Sequence, residues 1–233
     1  MSSTQESKPI QIHISPALRH LAVPLKDFLK NHPEYACLAV GAFIFWSAHH
    51  VTTPSSVTNS SRLLLVKRAA SETAFPNRWE VPGGSSEHSD PTILHSIARE
   101  VFEETGLRLA RVVQQVGDGV EFTTGWTDKS QRWLKLSFEI EVAEIEPAHC
   151  DFFSVNHNHI NEIPVPTSIE VSLDPNEHQD YRWVSEEEIQ NAGEGEGLQI
   201  MTEDQRAVML EAFNLHRTNR AVLENPHNCQ QHG

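Results

Sequence analysis

The segment from Trp79 to Leu107 limits what this chain can fold into more than any other, because it joins a Pro-Gly-Gly turn to a helical pattern rich in glutamate. Ser89-Asp90-Pro91 is typical of a helix start, with Asp90 as the N-cap and Pro91 at the first helical position. Gly106 is typical of a helix end. The sequence therefore predicts a helix over about 91–105.

The two sides of this predicted helix differ in chemistry. At about 100° per residue, one side gathers residues for a core and another gathers carboxylates. The first side holds Leu94, Ile97, Ala98, Val101 and Thr105, and the acidic flank holds Glu100, Glu103 and Glu104. Clustered carboxylates repel one another unless a cation neutralises them, and Mg²⁺ and Mn²⁺ prefer oxygen ligands. Arg99 could orient one glutamate, and the backbone at Gly83-Gly84 could approach a ligand closely.

These residues resemble the signature of the Nudix hydrolase family, whose second half is R-E-U-x-E-E-x-G-U with U aliphatic. The run from Arg99 to Leu107 matches it at every specified position. The first half departs from the pattern. Five residues separate Gly84 from Asp90, which stands in place of glutamate, and eight residues instead of seven separate Asp90 from Arg99. The loop therefore carries one extra residue, and Glu87 is a possible substitute for the acidic position.

The resemblance covers roughly 37–190 and implies a fold, a reaction and a set of site residues. The fold is α+β, an α/β/α sandwich with a mixed sheet. The reaction is divalent-metal-dependent hydrolysis of a diphosphate linkage in a small nucleoside diphosphate derivative or a related organic pyrophosphate. The metal, Mg²⁺ or Mn²⁺, would be held by Glu100, Glu103, Glu104 and the Gly83 carbonyl, with Arg99 orienting the glutamates. The alternatives on the same scaffold are a binding or regulatory protein and a non-hydrolytic enzyme.

The group that activates the attacking water is expected in Asp174–Val184, which resembles the stretch before the last strand of the family. Glu177 stands six residues before Trp183, where an acidic residue can act as a base or as an additional metal ligand. The alternative is an exposed glutamate of a surface loop. We take Glu177 as the candidate base.

Three basic side chains are candidates for binding a substrate phosphate. Lys67 and Arg68 end an apolar strand pattern over 62–68, and Arg78 precedes Trp79. Each could equally be a solvated residue at the end of a strand, so the sequence leaves this choice open.

The rest of the chain is predicted as one domain with an extension at each end. The predicted divisions are a tail and helical extension over 1–35, the Nudix domain over 36–217 and a C-terminal tail over 218–233. Short helices are expected after Pro16 and Pro24, with further helices at 185–190 and 202–216. Strands are expected at 37–47, 62–68, 108–116, 132–142, 168–173 and 181–184, with a hairpin turn over Val51–Ser61.

Two segments carry more specific expectations. In 132–142, alternate residues from Leu134 to Val142 would face the core, and Lys135, Ser137, Glu139 and Glu141 would face water. The insertion at 147–167 is predicted as a polar lid loop. Its His149, Cys150, Asp151, His157 and His159 could bind a transition metal, but they follow no zinc spacing.

The net charge limits the expected partners. The chain has 18 Lys and Arg against 32 Asp and Glu, a net charge of −14, so we expect a small diphosphate and no long nucleic acid as the partner.

The apolar content and the cysteines bear on location. The apolar run Ala36–Ala48 has 13 residues, short of the roughly 18 that cross a bilayer, so no membrane segment is expected. Three scattered cysteines indicate a reducing, cytoplasmic location. A homodimer is a further option.

Overall fold

The computed structural model describes residues 12–51, 57–125, 130–145, 169–193 and 197–224. The histidine-rich insertion predicted at 147–167 lies outside the described residues. Among those described, no helix is long and apolar enough to cross a membrane.

Seven strands within the described ranges form one mixed sheet. They are β1 (His13–Ile14), β2 (Cys37–Val51), β3 (Val57–Arg68), β4 (Trp79–Glu80), β5 (Leu109–Thr124), β6 (Gln131–Val142) and β7 (His178–Val184). Their order is β1-β5-β6-β2-β3-β4, and β7 also pairs with β3. The pairs β1–β5 and β2–β6 are parallel, and the remaining strand pairs are antiparallel.

Helices cover both faces of this sheet. They are a 3₁₀ helix (Pro16–Leu21) and α1 (Leu25–Asn31), α2 (Ile93–Thr105), α3 (Glu186–Gln190) and α4 (Glu203–Glu224). One core holds buried side chains of the 3₁₀ helix, α1 and α2, and the second holds those of α3 and α4. Strand residues alternate between the two, as Leu64 belongs to the first core and Leu63 and Leu65 to the second. The predicted α/β/α sandwich with a mixed sheet is confirmed.

The predicted N-terminal helices pack on the sandwich as part of its first core. Leu18, Leu21, Leu25 and Phe28 are all buried there, and the Ile93 N–H donates to the Val23 carbonyl at 2.9 Å. At the other end, the predicted division at 217 falls inside α4, which continues to Glu224. The division of the chain into three parts stays a prediction.

Several strand predictions need correction. The stretch predicted as a strand at 168–173 forms none over its described part, although Ile169 and Val171 are buried against the first core. Its backbone bonds to a helix end instead, since the Ser172 N–H donates to the Thr105 carbonyl at 2.8 Å. The predicted hairpin is present, but β2 and β3 extend into the stretch assigned to the turn and pair out to Val51 and Val57.

The expectation that β6 has one wet face is also wrong. Ser137 and Glu139 are 7% and 6% exposed, whereas Glu141 is exposed. Glu139 is covered by α4, from which His216 reaches it with an Nδ1–Oε1 distance of 2.6 Å. The polar alternation therefore marked a partly covered face, on which Glu139 has a polar partner.

Candidate active site

The acidic helix α2 is held in place by its apolar side. Leu94, Ile97 and Val101 are at most 1% exposed and lie in the first core. Gly106 ends the helix in the left-handed conformation, with φ 71°, and its N–H donates to the Phe102 carbonyl. Packing of the apolar side therefore determines which glutamates face the loop that precedes the helix.

The start of α2 differs from the prediction. The N-cap is Thr92, not Asp90. The Asp90 carboxylate instead accepts two hydrogen bonds of 3.0 Å from the Arg99 guanidinium and one of 2.9 Å from the Glu87 amide. A paired arginine–carboxylate contact is stronger than a single cap hydrogen bond. The loop with its extra residue thus brings Asp90, and not the Glu87 side chain, to Arg99.

The loop before α2 lies directly on the first half of β2. The Val40 N–H donates to the Gly84 carbonyl at 2.8 Å. The Ala42 N–H donates to the Pro82 carbonyl, also at 2.8 Å. Gly83 has φ +143°, and a Cβ there would stand 2.2 Å from the Val40 carbonyl oxygen. Only glycine allows this approach of the loop to the strand.

Two buried carboxylates of α2 lie against this loop. Glu100 is 8% exposed and Glu104 is 4% exposed. Glu104 Oε2 accepts a 2.7 Å hydrogen bond from the Gly83 N–H, and a Cβ on Gly84 would stand 2.5 Å from Glu100 Oε2. Burial raises the pKa of Glu104 well above its usual range, and neighbouring carboxylates raise it further. Burial also raises the pKa of Glu100, although Arg99 opposes the shift.

Arg99 connects these glutamates to the loop. It donates to Glu100 Oε1 at 2.9 Å, to Glu103 Oε2 at 3.0 Å and to the Ser85 carbonyl at 2.8 Å. The Glu103 side chain is 56% exposed, so it lies at the rim of the cluster while its two neighbours lie inside. The role of Glu103 as a metal ligand stays a prediction.

Glu177 reaches the same cluster from another part of the chain. It is exposed and precedes β7, and its carbonyl accepts a 2.7 Å hydrogen bond from the Ala69 N–H. Three potential metal-ligand atoms lie within 4.8 Å of one another: a carboxylate oxygen of Glu104, a carboxylate oxygen of Glu177 and a ring nitrogen of His178. The loop before β7 therefore brings the candidate base beside α2, and its part in catalysis stays a prediction.

Glu80 and His178 belong to this cluster and were missed in the sequence. Glu80 is 4% exposed and His178 2%. Arg68 donates to Glu80 Oε1 at 2.6 Å, and His178 Nε2 lies 3.8 Å from the same oxygen. Burial alone would raise the pKa of Glu80, but His178, Lys135 and Arg68 together lower it.

Glu80 had a signal in the sequence that could have revealed it. It is a lone carboxylate between Trp79 and Val81, two residues before Pro82 of the Pro-Gly-Gly turn, and both neighbours are core residues. A charge inside an apolar strand is rarely buried without a partner. His178 had no comparable signal, because it lies in a polar stretch where a buried imidazole is not expected.

The family relationship follows from a comparison with known domains. A model of the NUDIX domain matches residues 48–205, more than half of the chain. The chain belongs to the NUDIX family. It is a Nudix-type hydrolase acting on acid anhydrides, as the motif at Arg99–Leu107 implied.

Individual relatives are more distant. The chain is 27% identical over 129 residues to an RNA pyrophosphohydrolase of Bartonella quintana, covering 50% of this chain and 68% of that protein. It is 47% identical over 51 residues to the m7GpppN-mRNA hydrolase NUDT17 of Danio rerio, covering 22% of this chain and 17% of that protein. The MutT protein of Methanosarcina mazei Go1 aligns in structure with a TM-score of 0.44 and 21% identity, over 78% of this chain and 94% of that chain.

The three basic residues predicted to bind substrate lie in different places in this Nudix domain. Arg68 forms ion pairs with Glu80 and Glu72, with an N–O distance of 2.6 Å in each pair. Lys67 Nζ lies 5.8 Å from the centre of the Trp79 ring, which belongs to the core beside α4. Arg78 lines a cavity of about 240 Å³ with Phe75 and the start of α4. The structure therefore joins only Arg68 to the acidic cluster.

The donor set of the Nudix site fits a hard divalent cation. Among the described residues, the Gly83 N–H is the one hydrogen-bond donor to Glu104. The neighbouring charges that raise the pKa of Glu104 are the carboxylates of Glu80, Glu100 and Glu177. Buried like charges need a cation, and carboxylate and carbonyl oxygens are the ligands that Mg²⁺ and Mn²⁺ prefer.

Proposed function

We propose that this Nudix hydrolase is a divalent-metal-dependent pyrophosphohydrolase. Its substrate is a small nucleoside diphosphate derivative or a related organic pyrophosphate, cleaved at the diphosphate linkage. The observation that carries the proposal is the pair of buried carboxylates, Glu100 and Glu104, against the Gly83-Gly84 backbone. We assign Mg²⁺ or Mn²⁺ to this position, with Glu100, Glu103, Glu104 and the Gly83 carbonyl as ligands.

The cation, when bound, would offset the charge of the phosphate oxygens and make phosphorus easier to attack. Arg99 acts through the glutamates, because its hydrogen bonds hold Glu100 and Glu103 in position. Asp90 in turn fixes Arg99 through two hydrogen bonds. Such outer contacts commonly change metal affinity or activity about 10- to 100-fold when removed.

Glu177 is our candidate for the general base. Its carboxylate is exposed to water, yet one ligand atom of it lies within 4.8 Å of Glu104. In the reaction, the water oxygen forms a bond to phosphorus and the water proton passes to Glu177. The bond from phosphorus to the bridging oxygen breaks, and the leaving phosphate keeps the electron pair.

The substrate group beyond the diphosphate would contact basic residues outside the acidic cluster. Arg78 supports this assignment, because it lines a cavity together with Phe75, whose side chain is 47% exposed. An arginine beside an exposed aromatic ring can hold a phosphate and stack on a planar group. Lys67 is a second candidate, whereas Arg68 already binds two carboxylates and serves to hold Glu80.

A substrate screen with isotope labelling tests the proposal. The full chain is incubated with Mg²⁺ or Mn²⁺ and a panel of nucleoside diphosphate sugars, dinucleoside polyphosphates and isoprenoid pyrophosphates, in water enriched in ¹⁸O. We expect at least one compound to be cleaved at its diphosphate linkage, with ¹⁸O in one phosphate product. Metal-dependent binding without cleavage would favour the regulatory alternative, and conversion without ¹⁸O uptake would favour a non-hydrolytic enzyme.

The 5′ end of RNA is a second candidate substrate. It is favoured by the two relatives described above, whose names give RNA pyrophosphohydrolase and m7GpppN-mRNA hydrolase activities. The net charge of −14 disfavours it, because a long polyanion gains little from such a surface. Competition between a capped dinucleotide and a long capped RNA separates the two candidates. We expect the dinucleotide to compete at least as well, and tighter, salt-sensitive binding of the long RNA would reverse that order of preference.

A further inference from the structure

His178 is a buried imidazole without a hydrogen-bond partner. It is 2% exposed, and within the described part of the chain neither ring nitrogen makes a hydrogen bond. Its nearest acidic contact is Glu80, at 3.8 Å from Nε2, which is beyond hydrogen-bond length. Buried polar groups are almost always satisfied, so a ring with two unsatisfied nitrogens points to a partner beyond the described residues, such as a bound ligand.

The surroundings of His178 suggest what that partner is. One of its ring nitrogens lies within 4.8 Å of carboxylate oxygens of both Glu104 and Glu177. Glu80 already accepts a 2.6 Å hydrogen bond from Arg68. The imidazole therefore lies near two buried acids: Glu80 has a side-chain partner of its own, and the one donor to Glu104 among the described residues is a backbone amide.

The backbone holds His178 firmly in this place. It is the first residue of β7, and in the pairing with β3 it stands opposite Arg68. Its N–H donates to the Asp174 carbonyl at 2.8 Å. A side chain at the start of a paired strand is positioned more precisely than one on a free loop.

We propose that His178 is a nitrogen ligand of the cation that Glu104 binds. The ligand set of this cation then contains an imidazole nitrogen in addition to the oxygens of the α2 glutamates and the Gly83 carbonyl. An imidazole donor favours first-row transition metals over Mg²⁺. The site therefore prefers Mn²⁺ to Mg²⁺. Glu177, which is exposed beside this pair, stays free to accept a proton.

This inference rests on the proposed metal-dependent function, and one spectroscopic experiment separates the two. The full chain is loaded with Mn²⁺ and studied by pulsed electron paramagnetic resonance, which detects nitrogen bonded to the ion. We expect a ¹⁴N coupling of the size given by a coordinated imidazole, replaced by a ¹⁵N coupling when the protein is grown with ¹⁵N-histidine. Bound Mn²⁺ without a histidine coupling would overturn the assignment of His178 and leave the proposed function standing.

Variants supply the matched comparison. His178→Gln should remove the nitrogen coupling and weaken Mn²⁺ binding about 10-fold or more, with Mg²⁺ binding changed much less. The control is His95→Gln, because His95 lies on α2 and bonds to Thr92, and it should keep the coupling. If His178→Gln unfolds, the spectrum of the labelled parent protein still decides. Equal losses of Mn²⁺ and Mg²⁺ affinity would contradict the nitrogen ligand, and failure of the parent protein to bind either metal would overturn both proposals.

Discussion

Two buried glutamates on opposite faces of the sheet have very different partners. Glu139 on β6 is 6% exposed, and both of its oxygens are bonded, one to His216 and one to Gln114, each at 2.6 Å. His216 continues the chain of contacts to the Ser61 hydroxyl at 3.1 Å. Glu104 is equally buried, but among the described residues it has a single backbone donor and carboxylates as electrostatic neighbours.

The difference separates an acid that is satisfied within the fold from one that we propose as a metal ligand. Burial of a carboxylate is tolerated when hydrogen bonds replace the lost water, as they do around Glu139. At Glu104 they do not, and burial raises its pKa well above the usual range. A group held in this state is a candidate for binding something outside the protein. The network around a buried charge is therefore more informative than its burial.

The largest effect is expected at Glu177, the exposed acid beside Glu104. Glu177→Gln should lower turnover about 10²- to 10⁴-fold, because removal of a general base slows the chemical step. Steady-state kinetics at saturating metal measure this, with metal affinity determined on the same variant. Turnover within a few-fold of the parent would contradict the assignment and direct the search for the base to the glutamates of α2.

Glu104→Gln should have the next largest effect, a loss of metal affinity of roughly 100-fold, the upper end of what disturbing a metal site commonly produces. The metal-free variant should be no less stable than the parent, because the substitution removes a buried charge that lacks a full set of partners. Calorimetric titration and thermal unfolding measure the two quantities. Glu103→Gln is the matched comparison, because Glu103 is also a proposed ligand but has an exposed carboxylate. We expect a smaller loss of metal affinity there, and equal losses would contradict a larger share of binding for Glu104.

Asp90→Asn should have an intermediate effect of about 10-fold on activity or metal affinity. The substitution removes the charge that fixes Arg99 but leaves every proposed metal ligand in place. Kinetics across a metal titration measure it, and we expect excess metal to restore part of the activity. A variant with unchanged activity at limiting metal would show that Arg99 is held well enough by Glu100, Glu103 and Ser85.

Glu139→Ala should have the smallest effect on function and a clear effect on stability. It leaves the half-buried partners Gln114 and His216 without their acceptor, and an unsatisfied partner typically costs about 1–3 kcal/mol when it is cut off from water. Chemical denaturation measures the loss, and metal affinity and turnover should stay within a few-fold of the parent. A strong loss of metal affinity in a folded Glu139→Ala protein would contradict the proposal that Glu104 binds metal and Glu139 serves only stability.

Sequence reasoning predicted those features that depend on local pattern. The apolar side of α2 and its end at Gly106 follow from helical periodicity and capping, whereas the helix starts at Ile93, two residues later than predicted. The strand at 132–142 follows from alternation. Contacts between residues far apart in the sequence were harder to predict. Asp is a residue type preferred at N-caps, and no pattern in the sequence indicated that the fold brings the Arg99 guanidinium within hydrogen-bond distance of the Asp90 carboxylate.

Burial of polar residues was the main source of error. Ser137 and Glu139 alternate with apolar residues as a solvent-facing set would, but both are buried, and Glu139 has a polar partner on α4, His216. His178, on the face of the sheet that α2 covers, was likewise a polar residue whose burial the sequence did not indicate. A one-dimensional pattern records which residues are polar and does not record which polar residues will be paired.

The contact between the first half of β2 and the Pro82–Gly84 loop provides a reporter of local opening. The amide protons of Val40 and Ala42 are bonded to carbonyls of that loop. Their hydrogen exchange with solvent therefore requires the loop to separate from the strand. Exchange rates at these two amides, followed as metal is added, would measure the free energy that holds this loop on the sheet.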